Sequence, residues 1–197
     1  MNESTEVCSP LADIIKKAMS SKSTGTVSEA KAKIEKRMKG ASGEILVVCD
    51  LSGSMGDFIG SGQTSKYEHL KVALADIRRS YSKVRVILFN SFPEEWTGAA
   101  IPAPAGGTDL AGALRFAMQW RPRKTIIISD GLPDDQWAAQ TAADAITGEV
   151  DTIYCGPDGH PAIQFLRSLA HSTGGVSLNW DGYSTQLGTH VKGLLTA

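Results

Sequence analysis

The stretch EILVVCDLSGSMGDF, from Glu44 to Phe58, decides how the rest of the chain is read. Its first half, ILVVC, is a continuous apolar run of the kind a parallel strand needs when both of its faces are covered. Its second half is small and polar, and sets Asp50, Ser52 and Ser54 directly after that strand. In open α/β sheets, ligands bind at the carboxyl ends of the strands. The stretch therefore predicts a buried strand that delivers one carboxylate and two hydroxyls to a functional edge.

Downstream, strand and helix patterns alternate. SKYEHLKVALADIRRSY carries Leu70, Ala73, Leu74, Ile77 and Tyr81 at helical spacing. KVRVILF is a second strand, and PEEWTG follows it too closely for a helix to intervene, which makes it an antiparallel edge strand. After the loop IPAPAGG, Thr108 is expected to cap the helix DLAGALRFAMQW. KTIIIS is the next strand and ends at Asp130. A helix around DDQWAAQTAADAI, a strand VDTIYC, a helix AIQFLRSLAHST, a short strand GVSLNW and a helix through STQLGTHVKGLL follow. Such alternation predicts an α/β domain built on a doubly wound, mostly parallel sheet. Upstream, PLADIIKKAM has Leu11, Ile14, Ile15 and Met19 at helical spacing, and VSEAKAKIEKRMKG is a second short helix stopped by Gly40 and Gly43. Residues 1–42 are thus read as an N-terminal helical extension and residues 43–197 as one domain.

The composition, 42% hydrophobic and 21% charged over 197 residues, is that of a soluble globular protein with a real core. A net charge of -1 argues against bulk electrostatic binding to nucleic acid or anionic membrane. Residues 1–40 hold eight basic against five acidic residues, an imbalance that a solvated helical face explains. No apolar run approaches the ~20 residues that span a bilayer, and MNESTEVCSP has neither the basic nor the apolar region of a signal peptide. Cys8, Cys49 and Cys155 share no metal-ligand spacing and read as small buried hydrophobes in a reducing compartment, the cytoplasm.

Three polar clusters fall at strand ends or at the start of a helix: Asp50 to Ser54, AGGTDL around Thr108, and IIISDGLPDD with Asp130. In a parallel sheet they share one edge. Two carboxylates and three hydroxyls offer only oxygen, a set suited to a hard cation such as Mg²⁺, which favours octahedral geometry and keeps several waters. A cation would also explain two carboxylates held close together.

DLSGS, with Thr108 and Asp130, resembles the metal-ion-dependent adhesion site (D-x-S-x-S, then T, then D) of von Willebrand factor type A domains. The similarity spans about residues 43–196 and fills all five signature positions in order. It implies a six-stranded sheet of order 3-2-1-4-5-6, with one antiparallel edge strand and helices on both faces. It implies that Ser52 and Ser54 ligate the metal directly, that Asp50 and Asp130 act directly or through water, and that Thr108 joins or leaves with the ligand state. The implied cofactor is Mg²⁺, with Mn²⁺ or Ca²⁺ as substitutes, and the implied partner is a protein that supplies an Asp or Glu to the metal. Gly53 is expected to allow the sharp turn, and Gly106 and Gly107 to let the second loop approach the site. Asp57, Asp134 and Asp135 are expected at the surface. Small stand-alone members of the family resemble accessory subunits of intracellular assemblies, of AAA+ ATPase, stress or defence type.

Other readings fit less of the pattern. SGSMG resembles a nucleophile elbow, but Ser52 stands where that motif wants glycine, and a hydrolase would leave Asp50, Thr108 and Asp130 without a joint role. A phosphatase of the haloacid dehalogenase type needs a second carboxylate two residues after Asp50, and Ser52 occupies that place. An RNA-associated scaffold would need a basic surface or an attached repeat ring. The chain is therefore read as a binding module and not an enzyme.

Overall fold

The computed structural model describes residues 32, 34–35, 37–59, 63–182 and 186–196. The helical stripe at Leu11 to Met19 lies outside them. Ile34–Ala197 forms one compact unit, and Ile34, Glu35, Arg37 and Met38 within it are helical.

Six strands, β1 (Ile45–Asp50), β2 (Val84–Phe89), β3 (Pro93–Trp96), β4 (Lys124–Ser129), β5 (Glu149–Tyr154) and β6 (Ser177–Asn179), make one sheet of order β3-β2-β1-β4-β5-β6. All neighbours are parallel except β3, which runs antiparallel to β2 at the edge. Among the described residues, five helices after β1 pack around it: α1 (Lys66–Ser80), α2 (Leu110–Ala117), α3 (Gln136–Ala145), α4 (Ala162–Thr173) and α5 (Leu187–Thr196).

Strand periodicity divides the core. From β1, Val47 and Cys49 join Leu70, Leu74 and Ile77 of α1 and Val191 and Leu194 of α5 on one face. Leu46 and Val48, pointing the other way, join Leu110 and Leu114 of α2 and Ala139 and Ala142 of α3 on the opposite face. Both faces of β1 are thus dry, which is why its sequence shows an unbroken apolar run. Cys49 and Cys155 are fully buried free thiols, and burial pushes both pKa values up, as inert core cysteines require.

Arg37 ties the first described segment to the sheet. Its guanidinium donates to the carbonyls of Ala143 (2.8 Å), Asp144 (2.9 Å) and Gly148 (3.0 Å), at the carboxyl end of α3 and just beyond. Those carbonyls have no partner within a helix, so the cation completes them and faces the negative end of the helix dipole.

The order of the strands reverses between β1 and β4, and the crevice left at that switch point opens at their carboxyl ends. Asp50 closes β1 and Asp130 follows β4, so the two carboxylates flank it.

Candidate metal centre at the sheet edge

Asp50 is fully buried at the floor of the site. One carboxylate oxygen accepts the backbone N–H of Ser52 and the other the hydroxyl of Ser129, each at 2.7 Å. Burial raises its pKa to about 6 against the lowering effect of these hydrogen bonds, and the nearby Asp130 adds to the rise. Its loop continues through a 3-10 turn, Gly53–Gly56, in which Ser52 is buried and Ser54 exposed. The two serine hydroxyl oxygens lie 3.2 Å apart, and Ser54 donates to Oδ1 of Asp130 at 2.9 Å. Oδ2 of Asp130 is paired with the ammonium of Lys66.

Backbone and side-chain bonds lock the three loops together. Gly53 N–H donates to Gly106 O and Ala105 N–H to Leu51 O, which joins the first loop to the second. The second loop is held from below by Ser91, whose hydroxyl accepts the N–H of Gly107, and by Asn90, whose carbonyl accepts the N–H of Asp109. The third loop clamps Thr108 from both sides of its peptide: the Asp134 carboxylate accepts its N–H, and its carbonyl accepts the N–H of Asp134. The first and third loops meet through Ser54–Asp130 and Asp50–Ser129. The five expected site residues therefore sit at the end of β1 and on three loops that are bonded to one another at a single edge.

Two details differ from the expectation, the cap of α2 and the role of Gly53, and two exposed aspartates take roles the expectation did not give them. Asp109, not Thr108, is the N-cap of α2, and accepts the N–H of Gly112 at 2.8 Å. Gly112 has no Cβ where the Asp109 carboxylate lies, which leaves room for this cap. Asp134 is exposed, as expected, yet it positions the second loop. Asp135 is the N-cap of α3 through Ala138 N–H. Gly106 takes φ +79°, a left-handed conformation that suits glycine, and a Cβ on Gly107 would lie 2.6 Å from Asp134 Oδ2, so both are needed for the close approach. Gly53 does not take a positive φ, and a Cβ there would meet nothing nearer than 3.9 Å, so the turn itself does not demand glycine.

Ser129, Asp134 and Lys66 are the participants the sequence reading missed. Position alone carried a signal for the first, since Ser129 stands next to Asp130 at the end of a strand that pairs with β1.

The donor set fits a hard divalent cation. It consists of oxygens alone, from two buried carboxylates and three hydroxyls, and each carboxylate oxygen that accepts one hydrogen bond keeps a further lone pair. Among the described residues, no group of three or more His, Cys, Asp or Glu is placed to hold a metal ion, so the site relies on hydroxyls as well as its two carboxylates. Ser54 is exposed and Thr108 half-buried, and three large aromatics are exposed in the segments that follow β1, β2 and β4: Phe58 (66%), Phe92 (79%) and Trp137 (78%), the last in the first turn of α3. Among the described residues, no helix is long and apolar enough to cross a membrane.

No family model matches the chain, and no curated protein matches it in sequence. Solved structures do match. The SpRpn10 VWA domain, 11% identical, superposes with a TM-score of 0.55 over 77% of this chain and 94% of its own. An aerotolerance-related membrane protein from Bacteroides fragilis, 14% identical, gives 0.55 over 79% and 98%. A manganese-loaded TRAP protein from Plasmodium vivax, 18% identical, gives 0.50 over 67% of this chain and 63% of its own. At these identities the likeness is one of fold, and with the strand order it shows that the chain has the von Willebrand factor type A fold.

Proposed function

We propose that this chain is a metal-dependent protein-docking module, in which Asp50, Ser52, Ser54, Thr108 and Asp130 hold a divalent cation, Mg²⁺ or Mn²⁺, that receives an Asp or Glu of a partner protein. The observation that carries the reading is the bonding of three loops into one edge. Two buried carboxylates lie there with three hydroxyls, and exposed Phe58, Phe92 and Trp137 lie in the segments that follow β1, β2 and β4. Aromatic side chains are enriched at protein interfaces and depleted on ordinary surface. The manganese in the TRAP structure, on the same fold, supports a cation here. Bound there, the cation would supply an exchangeable position and positive charge for an entering carboxylate.

In this reading the chain's own residues bind and do not catalyse. The Ser54 hydroxyl donates to the Asp130 carboxylate and lies 3.2 Å from the Ser52 hydroxyl. His69 lies edge-on to Trp180, and His160 stacks on Tyr154 while its Nδ1 accepts the N–H of Ala162. The module would serve as an accessory subunit of an intracellular assembly, of the AAA+ ATPase, stress or defence kind, a role that rests on the sequence resemblance. The test is capture of a partner with and without chelator. A protein lost on chelation, regained with Mg²⁺ or Mn²⁺, and dependent on one of its own acidic residues supports the reading. Metal-independent capture contradicts it, and recovery of RNA would favour a scaffold instead.

A further inference from the structure

Lys66 has no counterpart in the oxygen set described above, yet it is built into it. It opens α1, with Ser65 as N-cap and its own N–H donating to the carbonyl of Asp57 at 3.1 Å. An ammonium in the first turn of a helix opposes the positive end of the helix dipole, and a buried one loses its hydration. Both penalties apply here, because only 6% of the Lys66 side chain is exposed, and 1% of that of its partner Asp130. Nothing in the local pattern of α1 favours this placement. Asp130 does, since its Oδ2 faces the ammonium while its Oδ1 takes the Ser54 hydroxyl.

Among the described side chains the floor of the site thus carries two carboxylates and one ammonium. We infer that Lys66 is the tethered counter-cation of this site, and that a divalent ion must share Asp130 with it. The inference rests on the metal reading proposed above and deepens it. With Lys66 in place, the metal-free site has a charge of about −1 instead of −2, which keeps it intact without metal and weakens its hold on a divalent ion. The effect of one unit charge on a divalent ion about 5 Å away is on the order of tenfold in affinity, even under water-like screening.

The test is calorimetric titration of Mn²⁺ into the full chain, comparing wild type, Lys66→Met, Lys66→Gln and the double variant Asp50→Ala, Asp130→Ala. Thermal unfolding of each is followed in chelator and in saturating Mn²⁺. Removing the ammonium is expected to tighten Mn²⁺ binding by about tenfold or more, while lowering the melting midpoint in chelator and restoring it with metal. Lys66→Gln keeps a hydrogen bond to Asp130 without the charge, and serves if the Met variant does not fold. Binding in a Lys66 variant but not in wild type would overturn the sharing of Asp130, since the amine would then exclude the cation. Equal or weaker Mn²⁺ binding in the Lys66 variants, lost in the double variant, would overturn the role of Lys66 and leave the metal site standing. Absence of binding in every protein would overturn both.

Discussion

The carboxylate of Asp134 accepts the backbone N–H of Thr108 through both of its oxygens, at 3.1 and 3.0 Å, across 26 residues of sequence. This contact fixes where the Thr108 hydroxyl can reach, although Asp134 contributes no atom to the expected ligand set. Groups that orient a ligand from behind typically cost 10- to 100-fold in metal affinity when removed. Asp134→Ala should therefore weaken Mn²⁺ binding by about tenfold while shifting the melting midpoint little, because the residue is exposed. Calorimetry and thermal unfolding on the same variant separate the two effects. A variant that binds Mn²⁺ like wild type would show that the second loop is placed without Asp134.

Asp50 should make the metal-free protein sensitive to pH in a definite direction. Burial raises its folded pKa to about 6 from an ordinary 3.8, so the folded state binds the proton more tightly than the unfolded chain does. The associated stability is fully present below about pH 3.8 and is lost as the pH rises through about 6. The whole effect is about 3 kcal/mol, and roughly half of it is regained on going from pH 7 to pH 5. In chelator, Asp50→Asn should therefore be more stable than wild type at pH 7, and the gap should narrow towards pH 5. Denaturant unfolding of both proteins across that range reads the difference directly. A gap that stays constant with pH would show that Asp50 is not held in its charged form at a cost.

Arg37→Ala should destabilise the domain without touching the site. The guanidinium completes three carbonyls at the end of α3, and hydrogen bonds from a charged donor are each worth about 1.5–3 kcal/mol. Solvation of the freed carbonyls recovers part of this, so a loss of about 2 kcal/mol is expected in denaturant unfolding, with Mn²⁺ affinity unchanged. Unchanged stability would mean that residues 34–40 do not support the sheet.

Lys124 is a second anchor at the same edge of the sheet, where it opens β4 beside Glu149 of β5. Its buried ammonium pairs with Glu149 (2.9 Å) and Asp151 (3.1 Å) and donates to the carbonyl of Leu194 near the end of α5 at 3.0 Å. Removing one partner of a buried pair strands the other charge, at about 3–5 kcal/mol. Lys124→Met should lower the melting midpoint sharply, and Lys124→Met combined with Asp151→Asn should recover part of the loss. If the double variant is no better than the single one, the pairing is not what holds α5.

The sheet was legible because β1 and β4 are buried on both faces and carry the apolar runs ILVVC and III, while β2 and β5 keep apolar residues at their carboxyl ends although Arg85, Asp151 and Thr152 interrupt them. The PEEWTG edge strand was legible from its short connection. The five oxygen-bearing residues were legible as a spaced pattern, since each lies beside a strand end or helix start that the same runs define. Lys66 was not, because a lysine in SKYEHL looks like any solvated first-turn residue. Only the packing that brings it to Asp130, 64 residues away, buries it. Asp134 was hidden for a similar reason: in SDGLPDD it is one of three aspartates, and sequence spacing does not say which turns back to Thr108. The cap of α2 was assigned one residue early because Thr108 and Asp109 are adjacent and both capable. Gly112 was the clue, since it leaves room for the Asp109 carboxylate.

The central claim is that the bonded loop edge holds a divalent cation on oxygens of Asp50, Ser52, Ser54, Thr108 and Asp130. Titration of Mn²⁺ into the full chain by calorimetry, beside the double variant Asp50→Ala, Asp130→Ala, tests it most directly. The account predicts one saturable site in wild type that disappears in the double variant while the fold is retained. Undiminished binding in the double variant, or no binding in wild type, would contradict it.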